Sequence, residues 1–390
     1  MFRPRMLAVA AVLSVASNPV HAGFGSCTLV NSPLATGAEP LDFARLAMRA
    51  DGRPLLVYTT DVHNASSIHL YDCATPTCAA GHGIDLDSSY NYFGSPGIAL
   101  RADGRPLVSA SHHGGIRLYD CADAACSSYS LHDVRPESSA IFSDMPVTLQ
   151  ASGNPVFLYL DGVLGTRPGY LIVHFCADAS CDAAGTEQVL AMPDPNTPMF
   201  SGLSLALGSD GTLAAAYLSS VGGSNLNTYH IARCSDAACS GVTDTQLAVP
   251  VGNGTPVRTA LALRTDQRPL ALDSQPEHRV LLDCTARACN AWNDRALPTT
   301  GAPLGLKLLS GNVPAYALFD ASTVSAIACN DANCGVGNGL FAATPTQSVL
   351  DGDFALDANT RPAVAYIDFD TRTLAVAACE ADVLFIDGFD

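Results

Sequence analysis

The sequence predicts an all-β protein, a seven-bladed β-propeller with four antiparallel strands per blade, and three observations carry that prediction. Six cysteine pairs share one spacing, Cys-x4-Cys, and their first members succeed one another at steps of 45 to 58 residues. Ahead of each pair an alternating apolar segment, a polar turn and a second apolar segment recur in the same order. One cysteine without a local partner stands near each end of the repeats, Cys27 and Cys379.

The chain opens with Arg3 and Arg5, an apolar run from Met6 to Ala16, and small residues at Val20 and Ala22. That order reads as a Sec signal peptide over residues 1–22. The run falls short of the ~20 apolar residues a membrane span needs, and no later stretch reaches that length. A soluble mature chain is expected from about Gly23, secreted, periplasmic or at the cell surface.

Seven units then occupy the chain. The first strand of each alternates, as in Leu46 and Met48, Ile98 and Leu100, or Leu205 and Leu207, the period of a half-buried strand. A turn comes next, such as Asp51-Gly52-Arg53-Pro54 or Asp103-Gly104-Arg105-Pro106. Asp-Gly supplies the positive φ of a tight hairpin, and proline, with no N–H to donate, suits the first position of the second strand. The third strand ends at the first cysteine of a pair, as in Ile116-Arg-Leu-Tyr-Asp-Cys121, and the x4 turn leads to the fourth. Four strands per unit of about fifty residues, repeated seven times, is propeller arithmetic. The blades fall near 41–90, 95–134, 145–191, 201–249, 257–298, 303–350 and 352–380, with a tail at 381–390.

The pairs Cys73/Cys78, Cys121/Cys126, Cys176/Cys181, Cys234/Cys239, Cys284/Cys289 and Cys329/Cys334 read as local disulfides of an exported chain. The seventh unit stops at Cys379, where a pair should begin. Cys27-Thr-Leu-Val30 has the form of the segment after the x4 gap in other units, a cysteine and then a strand. Residues 26–32 are therefore expected to complete the last blade, with Cys27 bonded to Cys379. Zinc and redox sites favour Cys-x2-Cys, so metal ligation by these cysteines is not expected.

The chain carries 20 basic and 37 acidic residues, a net charge of −17, and a single lysine, Lys307. Nucleic acid and anionic membranes demand positive surface, and both are excluded as partners. A monomer is expected.

In a propeller the turns between first and second strands and the cysteine turns share one face. The remaining connections lie on the other and vary in length, and binding residues concentrate on variable loops. Acids recur where the second strand ends, at Asp61, Asp161, Asp320 and Asp368, with Asp370, Asp273, His63 and the pair His112-His113 close in sequence. Such a ring suits a cation, a basic partner or sugar hydroxyls. The same aspartates equally cap their own turns. His69, His174 and His230 fall on third strands and read as packed histidines. Asp85/Asp87, Asp351/Asp353 and Asp368/Asp370 are paired carboxylates open to acid–base work only if space brings them together. Gly335-x-Gly337-x-Gly339 echoes a phosphate loop but falls where a fourth strand is expected. Asn64-Ala-Ser66 and Asn253-Gly-Thr255 fit the glycosylation pattern. No metal site and no cofactor is expected, with calcium the one ion the acidic ring leaves open, although the full calcium-loop signature is absent.

The whole repeat, strand, Asp-Gly-x-Pro, strand, strand, Cys-x4-Cys, resembles repeats of uncharacterised secreted bacterial propeller proteins. That resemblance implies the fold and export, and no activity. The tail, Val383-Leu-Phe-Ile-Asp-Gly-Phe-Asp390, resembles short Phe/Asp-rich sorting tails and equally reads as a last strand. The leading functional expectation is a non-catalytic binding or scaffold protein taking a protein or glycan on the variable face. A carbohydrate-active enzyme of glycosidase or lyase type predicts a unique cluster, for which His112, His113 and Asp161 are the candidates. A lectin predicts the same side chains in most blades. The single Trp292 weakens that reading.

Overall fold

The structure is a computed structural model, and it describes residues 24, 27–34, 40–62, 65–88, 92–112, 115–135, 144–161, 169–192, 200–220, 227–247, 259–275, 278–297, 302–320, 323–334, 336–343 and 348–381. The expected signal peptide, most of the tail, His63, His113, Asn64, Asn253 and Gly335 lie outside these residues.

Seven four-stranded antiparallel sheets form seven blades. Residues Cys27–Pro33 form β1. Blade 1 is β2 (Leu41–Met48), β3 (Pro54–Val62), β4 (Ala65–Cys73) and β5 (Gly81–Asp87). Blade 2 is β6 (Tyr92–Leu100), β7 (Pro106–His112), β8 (Gly115–Cys121) and β9 (Tyr129–Arg135). Blade 3 is β10 (Val147–Leu149), β11 (Pro155–Asp161), β12 (Tyr170–Phe175) and β13 (Thr186–Ala191). Blade 4 is β14 (Phe200–Leu207), β15 (Leu213–Ser220), β16 (Asn227–Cys234) and β17 (Val242–Leu247). Blade 5 is β18 (Ala260–Leu263), β19 (Pro269–Gln275), β20 (His278–Cys284) and β21 (Trp292–Ala296). Blade 6 is β22 (Ala302–Leu309), β23 (Val313–Asp320), β24 (Thr323–Cys329) and β25 (Gly337–Ala343). Blade 7 is β26 (Val349–Leu356), β27 (Pro362–Asp368) and β28 (Leu374–Ala381), completed by β1.

The first strands touch in a closed circle, β2, β6, β10, β14, β18, β22, β26 and back to β2, so they line the axis. The second strands are buried on both faces, β7 and β27 along their whole length, because each blade stacks on two neighbours. The fully buried tyrosines Tyr119, Tyr159, Tyr217, Tyr229, Tyr316 and Tyr366 fill the spaces between blades. The ring closes through β1, which runs antiparallel to β28 with Leu29 opposite Cys379, and Cys27 is bonded to Cys379. β26 begins at Val349, so the last blade starts ahead of residue 352.

The six local pairs are disulfides as expected: Cys73–Cys78, Cys121–Cys126, Cys176–Cys181, Cys234–Cys239, Cys284–Cys289 and Cys329–Cys334. Their backbone has a feature the sequence did not announce. The second cysteines, Cys78, Cys126, Cys181, Cys239, Cys289 and Cys334, all adopt the left-handed region, with φ from 52° to 62°. The reason is the tightness of the turn. Each of these cysteines donates its N–H to the carbonyl three residues back, as Cys78 does to Thr75 and Cys289 to Ala286, and the chain must then reverse at once into the fourth strand. All six are buried, so they staple hairpins and offer no sulfur to a ligand.

The turn after each first strand also has one geometry. The residue ahead of it accepts from the N–H three residues on and donates to the carbonyl four residues on, as in Arg49 with Gly52 and Arg53. Gly52, Gly104, Gly153 and Gly211 carry the positive φ this requires, and Gln267, Asn312 and Thr360 adopt it in blades 5, 6 and 7 without glycine, blade 6 adding a second positive φ at Gly311.

Arginines then lock this face. Arg53, Arg105 and Arg268 each donate Nε to the aspartate two residues earlier and Nη1 to the carbonyl of Cys73, Cys121 or Cys284, tying the two turns of one blade together. A second set joins neighbouring blades. Arg49 pairs with Asp72 and donates to the carbonyls of Gly104 and Ala124 in blade 2. Arg101 pairs with Asp120 and donates to Gly153 and Ala179 in blade 3. Arg264 pairs with Asp283 and donates to Asn312 and Ala332 in blade 6. Ala124, Ala179 and Ala332 each hold the third x position of a Cys-x4-Cys turn, two residues before Cys126, Cys181 and Cys334. The disulfide thus holds in place a carbonyl that receives the preceding blade's arginine.

Candidate functional site

Polar side chains gather in the axial channel and on the face of the variable connections. The channel holds two cavities of about 190 and 570 Å3, which share Leu46, Ile98, Val147 and Lys307. A first strand has a sheet partner on one side only, so alternate N–H groups point to the neighbouring blade and need acceptors. Carboxylates supply them. Asp351 accepts from Ala44 N at 2.9 Å and from the Arg45 guanidinium at 3.0 Å. Asp353, two residues along β26 and so on the same side, accepts from Leu46 N at 2.9 Å. Asp144 accepts from Ser95 N at 3.0 Å and Leu203 N at 3.3 Å, bridging blades 2 and 4 at the inner rim.

Burial raises the carboxyls of all three aspartates, and for Asp351 it outweighs the attraction of Arg45 and pushes the group up to about 6. Asp353 is half-buried at the channel wall and is drawn back by Arg45 and Lys307. Lys307, the one lysine in the sequence, is exposed to the channel. Sequence reasoning picked out Asp351/Asp353 as a pair but missed Arg45, Asp144 and Lys307. The available signal was that Arg45 and Lys307 each flank the leucine that faces inward on a first strand.

On the variable face, Asp161, Asp320 and Asp368 are the last residues of their second strands and Asp61 lies one residue from the end of β3. Asp368 is buried and accepts from Asp370 N at 2.8 Å and Thr371 N at 2.7 Å, an Asx turn, while Asp370 is exposed beside it. Asp161 accepts from Arg135 at 3.4 Å. His112 is buried and its Nε2 accepts from Arg117 at 3.1 Å. Arg117 also binds Asp87 at 3.0 Å and Asp133 at 2.8 Å, joining blades 1 and 2. His112 in blade 2 and Asp161 in blade 3 are therefore held by different arginines, Arg117 and Arg135, both of blade 2.

Arg135 reaches from blade 2 to Glu187 in blade 3, which also accepts from Tyr159 at 2.8 Å and lies 3.1 Å from His174 Nδ1. The His174 bond, opposing burial and joined by Arg135 and Tyr159, holds Glu187 down at about 2. The third-strand histidines share one setting. His69, His174 and His230 stack on Tyr58, Phe157 and Tyr217 with ring centroids 4.7 to 5.0 Å apart, and each meets a fourth-strand acid. His174 also sits within 4.8 Å of Cys176 and Cys181, but both sulfurs are used in a disulfide. Gly337 and Gly339 lie on the fourth strand β25, not in a phosphate loop.

No family model and no curated protein sequence matches the chain. Solved structures do. A protein of unknown function from Dyadobacter fermentans aligns over 90% of this chain and 97% of its own, at 11% identity and a TM-score of 0.55. The polysaccharide lyase Uly1 aligns over 90% of this chain and 92% of its own, at 8% identity and a TM-score of 0.58. An α-L-arabinofuranosidase of Fusarium graminearum covers 81% of this chain and 97% of its own at 12% identity, with a TM-score of 0.49. At these identities the likeness is one of fold, and fold alone does not carry an activity.

Proposed function

We propose that the protein is an exported, non-catalytic binding protein that takes a protein or glycan on the face opposite the disulfide turns, centred on blades 3 and 4. The observation that carries this is the contrast between the faces. Turns on the disulfide face are near-uniform, and arginines of blades 1, 2 and 5 engage the polar groups of their own turns and of the next blade's. On the opposite face the four longest connections, residues 136–146, 162–169, 192–199 and 248–259, all border blades 3 and 4. Varied connections on a locked scaffold are the arrangement binding proteins use. The seven disulfides fit an oxidising compartment outside the cytoplasm, and among the described residues no helix is long and apolar enough to cross a membrane. The test is a glycan array, then affinity capture from envelope fractions, with shortened 136–146 and 248–259 connections as one variant and a shortened 88–91 connection as control. Binding kept by the first variant and lost by the control would overturn the reading.

The raised acids of the channel favour a second reading, a carbohydrate-active enzyme. Asp353 lines a concave site with Arg45, and Asp351, near 6, is buried behind it on the same arginine, the pattern of a proton donor with an anion partner. Their oxygens already accept backbone N–H groups of blade 1, which suits a structural role equally well. Reducing ends released from neutral and acidic polysaccharides, and abolished by Asp353→Asn, would establish this reading in place of the first.

A further inference from the structure

The inter-blade arginine pattern inverts at one junction. Where Arg49, Arg101 and Arg264 stand in blades 1, 2 and 5, blade 4 has Gly208. Where Asp72, Asp120 and Asp283 precede a cysteine, blade 4 has Arg233. The third x position of the next cysteine turn, alanine at the three intact junctions, is Arg287. Two cations therefore occupy the junction of blades 4 and 5 where three other junctions hold one matched pair.

Arg233 is 5% exposed. Its Nη2 donates to Thr212 Oγ1 at 3.0 Å, while Nη1 is buried with no partner. Asp210 is the carboxylate facing this pair, and it is already committed. Its Oδ1 accepts from the Thr212 N–H at 3.0 Å and hydroxyl at 2.6 Å, and its Oδ2 lies 3.3 Å from Arg287. Desolvation holds the Arg233 guanidinium below its ordinary value, and Arg287 pushes the same way against Asp210. At position 208 a Cβ would meet Gln267 Oε1 at 1.8 Å, so an arginine there would have to displace that side chain, and it would face Arg233 where the other junctions offer an aspartate.

Beside Arg233 lies a cavity of about 140 Å3 lined also by Arg287, Thr212, Ser235 and Thr243. At roughly 30 Å3 per water this equals four or five waters, room for one small ion. A buried guanidinium without an anion is costly, and an arginine fork is built for oxyanions. The protein as a whole is strongly acidic, so anions do not collect on it through net charge.

We propose that the cleft between blades 4 and 5 binds a single tetrahedral oxyanion, a phosphate or sulfate, free or carried as a monoester. Arg233 holds it from the floor with its guanidinium. Arg287, 61% exposed, closes over it from the rim. The hydroxyl-bearing Ser235 and Thr243 form the walls.

The test uses the intact disulfide-bonded protein in thermal shift and titration calorimetry. Inorganic phosphate, inorganic sulfate, methyl phosphate and methyl sulfate are compared with chloride at matched ionic strength. The expected result is saturable binding of one ion per chain, with affinity lowered tenfold or more by Arg287→Ala. Arg233→Met, relieved of an unpaired buried charge, should melt in chloride at or above the wild-type temperature and lose the stabilisation by anion. Monoesters binding as tightly as the inorganic ions identify an esterified ligand, and inorganic ions alone identify a free one. Sulfate and phosphate also stabilise proteins generally by exclusion from the surface. A shift that does not saturate, or that persists equally in both variants, overturns the proposal.

Discussion

Replacing Cys27 and Cys379 together by serine should destabilise the protein more than replacing any local pair. The Cys27–Cys379 bond spans 352 residues of sequence, and each local bond spans 5. In the chain-entropy account a cross-link restrains the unfolded chain by an amount that grows with the logarithm of loop length. That gives roughly 6 kcal/mol for the long loop and about 2 kcal/mol for a six-residue one. The local disulfides hardly alter this, because each shortens the long loop by only a few residues. At about 2 cal/mol/K per residue of unfolding entropy, the folded part of the chain loses about 8 °C of Tm for the first change and about 3 °C for the second. The β1–β28 ladder survives in the double variant, so the ring opens by fraying from its end and not by refolding. Differential scanning calorimetry of Cys27→Ser/Cys379→Ser against Cys73→Ser/Cys78→Ser, both without reductant, reads the contrast. Equal losses would refute the loop-length argument and place the stabilisation in local packing.

The same geometry sets three further outcomes. Arg101→Met leaves Asp120 with only Arg105, at 3.6 Å, and strands two carbonyls of blade 3, so it should cost about 2–3 kcal/mol; Arg101→Met/Asp120→Leu should cost less than the single change, which urea denaturation checks. Glu187 is held near 2 in the folded protein against about 4.3 unfolded, so its stabilisation is complete above pH 4.3 and lost as pH falls through 4 to 2. Discounted for its partial exposure this is about 1–2 kcal/mol, so Glu187→Gln should lower the urea midpoint at pH 7 and converge with wild type near pH 2. Gly97→Ala would set a Cβ 2.1 Å from the Met145 carbonyl, whereas Gly153→Ala meets nothing within 4 Å and strains only its positive φ. The first should cost about 2–3 kcal/mol and the second about 1 kcal/mol, compared by thermal melts.

The fold was legible because its repeating unit is short and its punctuation chemical. The positive φ after each first strand, the proline opening the second and the cysteine closing the third are local requirements, and each leaves a letter in the sequence. Ring closure was legible for the same reason, since Cys27 and Cys379 are two halves of one missing unit. The left-handed backbone at Cys78, Cys126, Cys181, Cys239, Cys289 and Cys334 was not. Glycine would announce such a position, but the bond to the first cysteine fixes the residue type there and hides the conformation. The site was less legible still. Asp351 and Asp353 were visible as a pair, but their engagement by Ala44 N and Leu46 N depends on blade 7 meeting blade 1 across more than three hundred residues. His112 looked like a loop residue beside a second histidine, yet it ends a strand buried along its length, and Arg117 makes it an inter-blade contact.

The inter-blade arginines show what a repeat holds beyond its fold. Arg49, Arg101 and Arg264 each stand two residues before the aspartate of an Asp-Gly-Arg-Pro or Asp-Gln-Arg-Pro turn, and Asp72, Asp120 and Asp283 each stand one residue before a cysteine in the same three units. Two charges of opposite sign that recur together at fixed positions in the same units read as a pair, although some twenty residues separate them. Unit 4 changes both at once, to glycine and to arginine. A unit that had only drifted would lose the pair and fill the gap with uncharged side chains. Reversing the buried charge costs stability that Asp210, already shared between Thr212 and Arg287, does not return. The same scaffold that makes three junctions self-sufficient therefore leaves the fourth short of an anion.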